Sequence, residues 1–211
     1  MTAIFFDLDG TLTDPKLGIT RSIQYALGKL DHPVPSADEL TWCIGPPLHA
    51  SFRTMLGGDD RAAMAISLYR ERFGEVGLFE NEVYAGVTDA LSALQTAGHR
   101  LFVATSKPVV YAKRIVAHFG LGGHFERVFG AELDGTRADK TELLRHALDA
   151  TAVAASRAVM IGDRSHDMIG ARNNAMTAVG VLYGYGSREE LLAAGAHHVC
   201  AAPPAWLEHV R

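Results

Sequence analysis

Residues 1–14 read MTAIFFDLDGTLTD, and the fold turns on Ile4, Phe5 and Phe6 running straight into Asp7, Leu8, Asp9, Gly10 and Thr11. A short apolar run without polar alternation reads as a strand buried on both faces, as in parallel sheets covered by helices. Two carboxylates two residues apart at its end are costly unless cations or hydrogen-bond donors meet them there. The rest of the chain has to supply those partners.

Similar runs recur as RLFVAT from Arg100, RVFGAE from Arg127, AVMIGD from Ala158 and TAVGVLYG from Thr177. Beyond residue 84 they alternate with helical periodicity: Val87, Leu91 and Leu94; Tyr111, Ile115 and Phe119; Leu144, Ala147 and Leu148. The alternation predicts an α/β fold, a Rossmann-like parallel sheet with helices on both faces. Residues 15–83 depart from it, with helical stripes at Ile19, Ile23, Leu27 and Leu30, at Leu48, Phe52 and Met55, and at Ala62, Ile66, Tyr69 and Phe73. SADE from Ser36 has capping-box spacing, and a turn-rich IGPPL follows from Ile44. We therefore expect an inserted all-helical cap domain over 15–83 and a core domain made of 1–14 and 84–211.

The chain has 211 residues, 48% of them apolar, enough for a substantial core. Its 24 acidic and 20 basic residues leave a net charge of -4, which gives no electrostatic footprint for nucleic acid or an anionic membrane. No apolar run approaches the roughly 18 residues of a membrane span, and the first residues do not read as a secretory leader, so a cytoplasmic protein is expected. Cys43 and Cys200 offer neither a disulfide framework nor paired metal-site spacing and read as packing residues.

In an open parallel sheet, ligands bind beyond the carboxyl ends of the strands. Asp7 ends the first strand, Thr105, Ser106 and Lys107 end the second, and Asp163 ends AVMIG. Lys140 opens a helical segment in which Asp139 and Glu142 are spaced like a cap. One sheet edge thus gathers carboxylates at 7, 9, 163 and 167, the ammonium of Lys140 and the hydroxyls of Thr105 and Ser106. Four carboxylates call for a cation, an all-oxygen set suits Mg2+, and Mg2+ beside a lysine and hydroxyl donors makes a receptor for phosphate.

DLDGT from Asp7, ATSKP around Thr105, Lys140 and GDRSHD from Gly162 match, in order and spacing, the four motifs of the haloacid dehalogenase-like (HAD) hydrolase superfamily, which this chain resembles at both ends of its core. The helical insertion is similar to the cap of the phosphoglycolate phosphatase and 5'-nucleotidase branch, as are IGPPL and YGYGS. The resemblance implies a Mg2+-dependent phosphatase acting on a small phosphorylated metabolite, with no nucleic acid polymer or membrane as partner, as a monomer or homodimer. It implies Asp7 as nucleophile and Asp9 as general acid and base, with Gly10 turning the second carboxylate off the metal. Mg2+ would be held by Asp7, Asp163, the main-chain carbonyl of Asp9, and Asp167 directly or through water. Thr105, Ser106, Lys107 and Gly10 would bind the phosphoryl group, and Lys140 would neutralise it and Asp7.

Other readings of the same residues are weaker. An EF-hand from Asp7 needs glycine and glutamate where Leu12 and Gly18 stand. GYGSRE from Gly184 mimics a dinucleotide fingerprint but has Glu189 for its third glycine, and Ser187 with Glu190 reads as a capping box. His197, His198 and Cys200 make too few ligands for a zinc site, and His166 reads as a first-turn helix residue. Arg164 is open between site and solvent. In the cap, Arg21, Arg53, Trp42 and the Gly45–Pro47 turn are candidates to touch substrate, although Trp42 reads first as core packing and Arg53 as a solvated face. A beta-phosphoglucomutase-like mutase shares the whole core. Asp9 argues against the halide-removing members, and Lys16 and Lys29, the lysines of the insertion, lie in no apolar setting that would suit phosphonate cleavage. A catalytically silent binding protein on the same scaffold is the reading of a different class.

Overall fold

The computed structural model of the protein describes residues 1–210. In chain order the elements are β1 (Ala3–Phe6), β2 (Thr13–Asp14), α1 (Lys16–Lys29), α2 (Leu48–Leu56), α3 (Asp59–Arg72), β3 (Glu82–Val83), α4 (Val87–Thr96) and β4 (Arg100–Pro108). They continue as α5 (Val109–His118), β5 (Arg127–Ala131), α6 (Lys140–Thr151), β6 (Ala158–Gly162), α7 (Ser165–Asn173), β7 (Thr177–Val181), α8 (Arg188–Ala193), β8 (His198–Cys200) and α9 (Trp206–His209). Two units result, one of Met1–Asp14 and the chain from Val83 onward, the other of Pro15–Glu82. The return to the first unit comes one residue before the expected 84, at β3, and the N–H of Tyr84 already donates to the Leu12 carbonyl at 3.1 Å.

The first unit is a six-stranded sheet in the order β5-β4-β1-β6-β7-β8. Every pairing is parallel, with Phe5 level with Phe102 on one side and Met160 on the other. From β1 the chain builds outward through β4 and β5, then crosses back to build β6, β7 and β8, so the strand order reverses beside β1. That reversal opens a crevice at the carboxyl ends of the central strands.

The all-apolar β1 follows from this central place, because both of its faces are covered. Phe5 stacks on Phe102 at 4.9 Å in a core with Leu143, Leu144 and Met168. Phe6 points the other way and meets Trp206 at 5.0 Å. Both phenylalanines are fully buried, each contributing about 2 kcal/mol of transfer free energy.

The second unit is helical. Ile19, Ile23 and Leu27 of α1, Phe52 of α2, and Ala62, Ala65 and Tyr69 of α3 are buried together with Phe73, which stacks on Tyr69 at 5.0 Å. A π-helical turn, Phe73–Gly77, follows α3. The SADE box forms, with the N–H of Ser36 donating to Glu39 at 2.9 Å and the N–H of Glu39 to the Ser36 hydroxyl at 3.4 Å, but no α-helix follows it. Only the 3-10 turn Thr41–Cys43 does, since Pro46 and Pro47 stop propagation within a few residues. That turn buries Cys43 and leaves Trp42 44% exposed, which overturns the packing reading of Trp42. Arg53 is exposed, and Arg21 pairs with Glu80 at 2.7 Å.

Candidate active site

At the end of β1 the N–H of Asp7 is still held by the Ile161 carbonyl of β6 at 2.9 Å, which fixes the first carboxylate at the mouth of the crevice. The chain then turns back on itself, with the N–H groups of Leu12 and Thr13 donating to the Leu8 carbonyl at 2.9 and 3.0 Å. Gly10 makes the turn possible twice over. Its φ of +82° is left-handed, and a Cβ there would lie 2.2 Å from an Asp163 carboxylate oxygen. Beyond the strand end the two carboxylates meet different lysines, Asp7 meeting Lys140 and Asp9 meeting Lys107.

Asp163 follows β6, and Asp167 sits in the first turn of α7, where it accepts from the N–H of Arg164 at 3.1 Å. Lys140, the first residue of α6, is oriented by the cap of Asp139, whose carboxylate accepts from the N–H groups of Thr141 and Glu142 at 2.9 and 3.1 Å. Its ammonium lies 2.7 Å from Asp167 and 3.1 Å from Asp7, and donates to the Ala104 carbonyl at 3.0 Å. Thr105 is buried within β4, where the pairing with β5 becomes irregular, its hydroxyl accepting from the N–H of Lys107 at 3.3 Å. Ser106 beside it is half-buried.

Carboxylate oxygens of Asp7, Asp163 and Asp167 lie within 4.8 Å of one another, and all three residues are buried. Oxygens at opposite corners of an octahedron with Mg2+ distances are about 4 Å apart, so the spacing fits a small divalent cation. The charge fits as well. Three buried carboxylates face one ammonium, leaving two negative charges in excess, and among the described residues no donor but Lys140 reaches Oδ1 of Asp7 or of Asp167. Burial pushes the Asp163 carboxyl well above the usual carboxylate range, and the charges of Asp167 and Asp7 add to it. Burial raises Asp167 to about 6 although Lys140 pulls it down. For Lys140 burial acts downward, but Asp167 and Asp7 outweigh it and hold the ammonium above its ordinary value. A bound cation would favour the ionised form of both carboxylates.

Lys107, which the resemblance assigns to the phosphoryl group, has its ammonium 2.7 Å from Asp9. Burial lifts the Asp9 carboxyl, with Lys107 opposing.

Several residues around the site escaped the reading of the sequence. The Thr11 hydroxyl donates to Asp163 at 3.2 Å, and the N–H of Tyr185 to its other oxygen at 2.9 Å. The Tyr185 hydroxyl donates to Asp14, and that of Tyr183 to the Thr11 carbonyl at 2.9 Å. YGYGS thus braces the turn after β1, a role that its tyrosines signal only in hindsight. Arg164, left open between site and solvent, lies against Glu190 at 3.1 Å, and Glu190 also accepts from the N–H of Ser165 at 2.8 Å. His166 is exposed in the first turn of α7. His197 accepts from the N–H of Ala178, and His198 stacks on His209, so among the described residues these histidines build no metal centre with Cys200.

A profile of the haloacid dehalogenase-like hydrolases matches residues 4–181, and the chain belongs to that family. It is 51% identical over 199 residues to a 5'-nucleotidase of Pseudomonas aeruginosa, covering 94% of this chain and 90% of that one. It is 44% identical over 183 residues to the tyrosine-protein kinase PtkA of Mycobacterium tuberculosis, covering 87% of this chain but 62% of that longer protein. The crystal structure of a predicted phosphatase from Clostridium acetobutylicum superposes with a TM-score of 0.96 at 41% identity, over 99% of this chain and 97% of that one.

Proposed function

We propose that the protein is a Mg2+-dependent phosphatase that hydrolyses a small organic phosphomonoester through an aspartyl-phosphate on Asp7. The observation that carries this reading is the meeting of Asp7, Asp163, Asp167 and Lys140 in one buried cluster beside Asp9. Asp7 attacks phosphorus as the bond to the leaving oxygen breaks, and Asp9 gives that oxygen its proton. Asp9 then takes a proton from the water that attacks the aspartyl-phosphate, which releases phosphate and restores Asp7. Thr105 and the N–H of Ser106 donate to phosphoryl oxygens, and Lys140 holds charge on the phosphate and on Asp7. Each such contact is worth about 3 kcal/mol of the barrier, by analogy with a lost oxyanion donor. Held by Asp7, Asp163, Asp167 and the Asp9 carbonyl, Mg2+ would supply charge stabilisation of the phosphoryl oxygens.

One observation supports a 5'-nucleotide-like substrate: the name of the 51% identical relative. Two buried free thiols, Cys43 and Cys200, suit a reducing cytoplasmic setting.

The test is phosphate release from nucleoside monophosphates, phosphoglycolate and sugar phosphates, with Mg2+ and with EDTA. Mg2+-dependent release led by the nucleotides is expected, and silence across the panel would return the chain to the binding-protein reading. The kinase name of the mycobacterial relative adds one arm, ATP with a tyrosine peptide. Transfer to the peptide hydroxyl without phosphate release would replace water as the acceptor.

A further inference from the structure

Two lysines enter the crevice, and they do not share one task. Lys140 reaches Asp7 and Asp167, whereas Lys107 reaches Asp9 at Oδ2, 2.7 Å away, with both residues of this second pair under a tenth exposed. The other oxygen of Asp9, Oδ1, is buried and meets no hydrogen-bond partner among the described residues. The backbone of Lys107 is fixed as firmly as its ammonium. Its N–H is tied to the Thr105 hydroxyl, and β5 passes so close that a Cβ on Gly130 would lie 2.7 Å from the Lys107 carbonyl oxygen.

We infer that Lys107 is the positioning residue of the proton-transfer step: it clamps Oδ2 of Asp9 and leaves Oδ1 as the oxygen that carries the proton. This rests on the reading of Asp9 as general acid. As the bond from Asp7 to phosphorus forms and that to the leaving oxygen breaks, the departing electron pair takes the proton from Oδ1, and the carboxylate left behind is paired with the ammonium already at Oδ2. Without the clamp a buried carboxyl can rotate, and only a fraction of its orientations deliver the proton.

The prediction separates from phosphate binding by the leaving group. The constant kcat/KM covers the steps up to departure of the alcohol, and p-nitrophenolate leaves without a proton whereas an alkoxide does not. The experiment measures kcat/KM for Lys107→Met, Lys107→Arg and Asp9→Asn on para-substituted phenyl phosphates of graded basicity and one alkyl phosphate, with circular dichroism to verify folding. Lys107→Met is expected to lose on the order of 100-fold with the alkyl ester and tenfold or less with p-nitrophenyl phosphate, the scale of general acid catalysis. Asp9→Asn should show the same gradient more steeply, and Lys107→Arg should regain part of the loss. A uniform loss in Lys107→Met, carried by KM, while Asp9→Asn keeps its gradient would overturn the inference and return Lys107 to the phosphate. A uniform loss in Asp9→Asn would overturn the reading of Asp9 as acid and this inference with it. Should Lys107→Met fail to fold, Lys107→Gln makes the same comparison.

Discussion

The two units treat charge in opposite ways. In the sheet unit Asp7, Asp9, Lys107, Lys140, Asp163 and Asp167 are all under a tenth exposed and packed around one crevice. In the helical unit the polar residues among those described as buried are small hydroxyls, Thr20, Ser22 and Ser51, and the ion pairs lie nearer solvent, as between Lys16 and Asp38. Burying a charge costs several kcal/mol even when it is paired, whereas a hydrated pair contributes about 1 kcal/mol or less. The helical unit therefore spends its interior on apolar contacts, and the sheet unit gives up stability at one edge where chemistry needs dry, opposed charges.

The sharpest way to break the contrast is Asp7→Asn. Turnover should fall on the order of 10^4-fold or more, the scale of losing a nucleophile, while thermal stability in EDTA rises because one charge leaves an over-negative cluster. Phosphatase activity surviving with Mg2+ still bound would remove Asp7 from the nucleophile's role. In the helical unit the corresponding blow is apolar: Phe52 is fully buried edge-on to Tyr69, and Phe52→Ala should cost about 4 kcal/mol in denaturant unfolding. A change under 1 kcal/mol would mean that packing does not hold this unit.

Acidity gives the next largest effect. In metal-free protein the Asp167 carboxyl binds its proton more tightly folded than unfolded, with a folded value of about 6 against 3.8, and Asp163 is shifted the same way. Its favourable contribution is complete below pH 3.8 and is lost as the pH rises through about 6, a swing of up to about 3 kcal/mol. The melting temperature in EDTA should therefore fall between about pH 4 and 6, and saturating Mg2+ should remove the slope; equal melting curves with and without the ion would contradict a metal at this cluster. Smallest of all, Asp38→Ala should leave the melting temperature unchanged, its partner Lys16 being held only at the surface.

Much of this arrangement is legible in the chain because it is local. Apolar runs that stop at Asp7, Thr105 and Asp163 declare a sheet with a polar edge, and Asp139 before Lys140 declares a helix start. Stripes such as Ile19, Ile23 and Leu27 declare the helices of the insertion. What stays hidden depends on distant partners. Nothing near Lys107 says that its ammonium meets Asp9, nearly a hundred residues away. Nothing near Tyr185 says that it reaches Asp14 and Asp163 from a loop that reads as an ordinary helix start. Ser36 misled in the other direction: its capping box is made, and the prolines downstream deny it a helix.

The central place of β1 has a consequence for biosynthesis. Ala3 pairs with Arg100 on one side and Ala158 on the other, so β1 waits for partners that lie far along the chain. At roughly 5–20 residues per second, Phe5 and Phe6 wait roughly 8–30 s for β6 to be synthesised. During that interval β1 lacks one of its two neighbours, and the helical segment, whose contacts close within 68 consecutive residues, is finished while the sheet is still waiting. Slowing translation after residue 100 should therefore lengthen the exposure of β1 to chaperones and aggregation without touching any residue of the crevice.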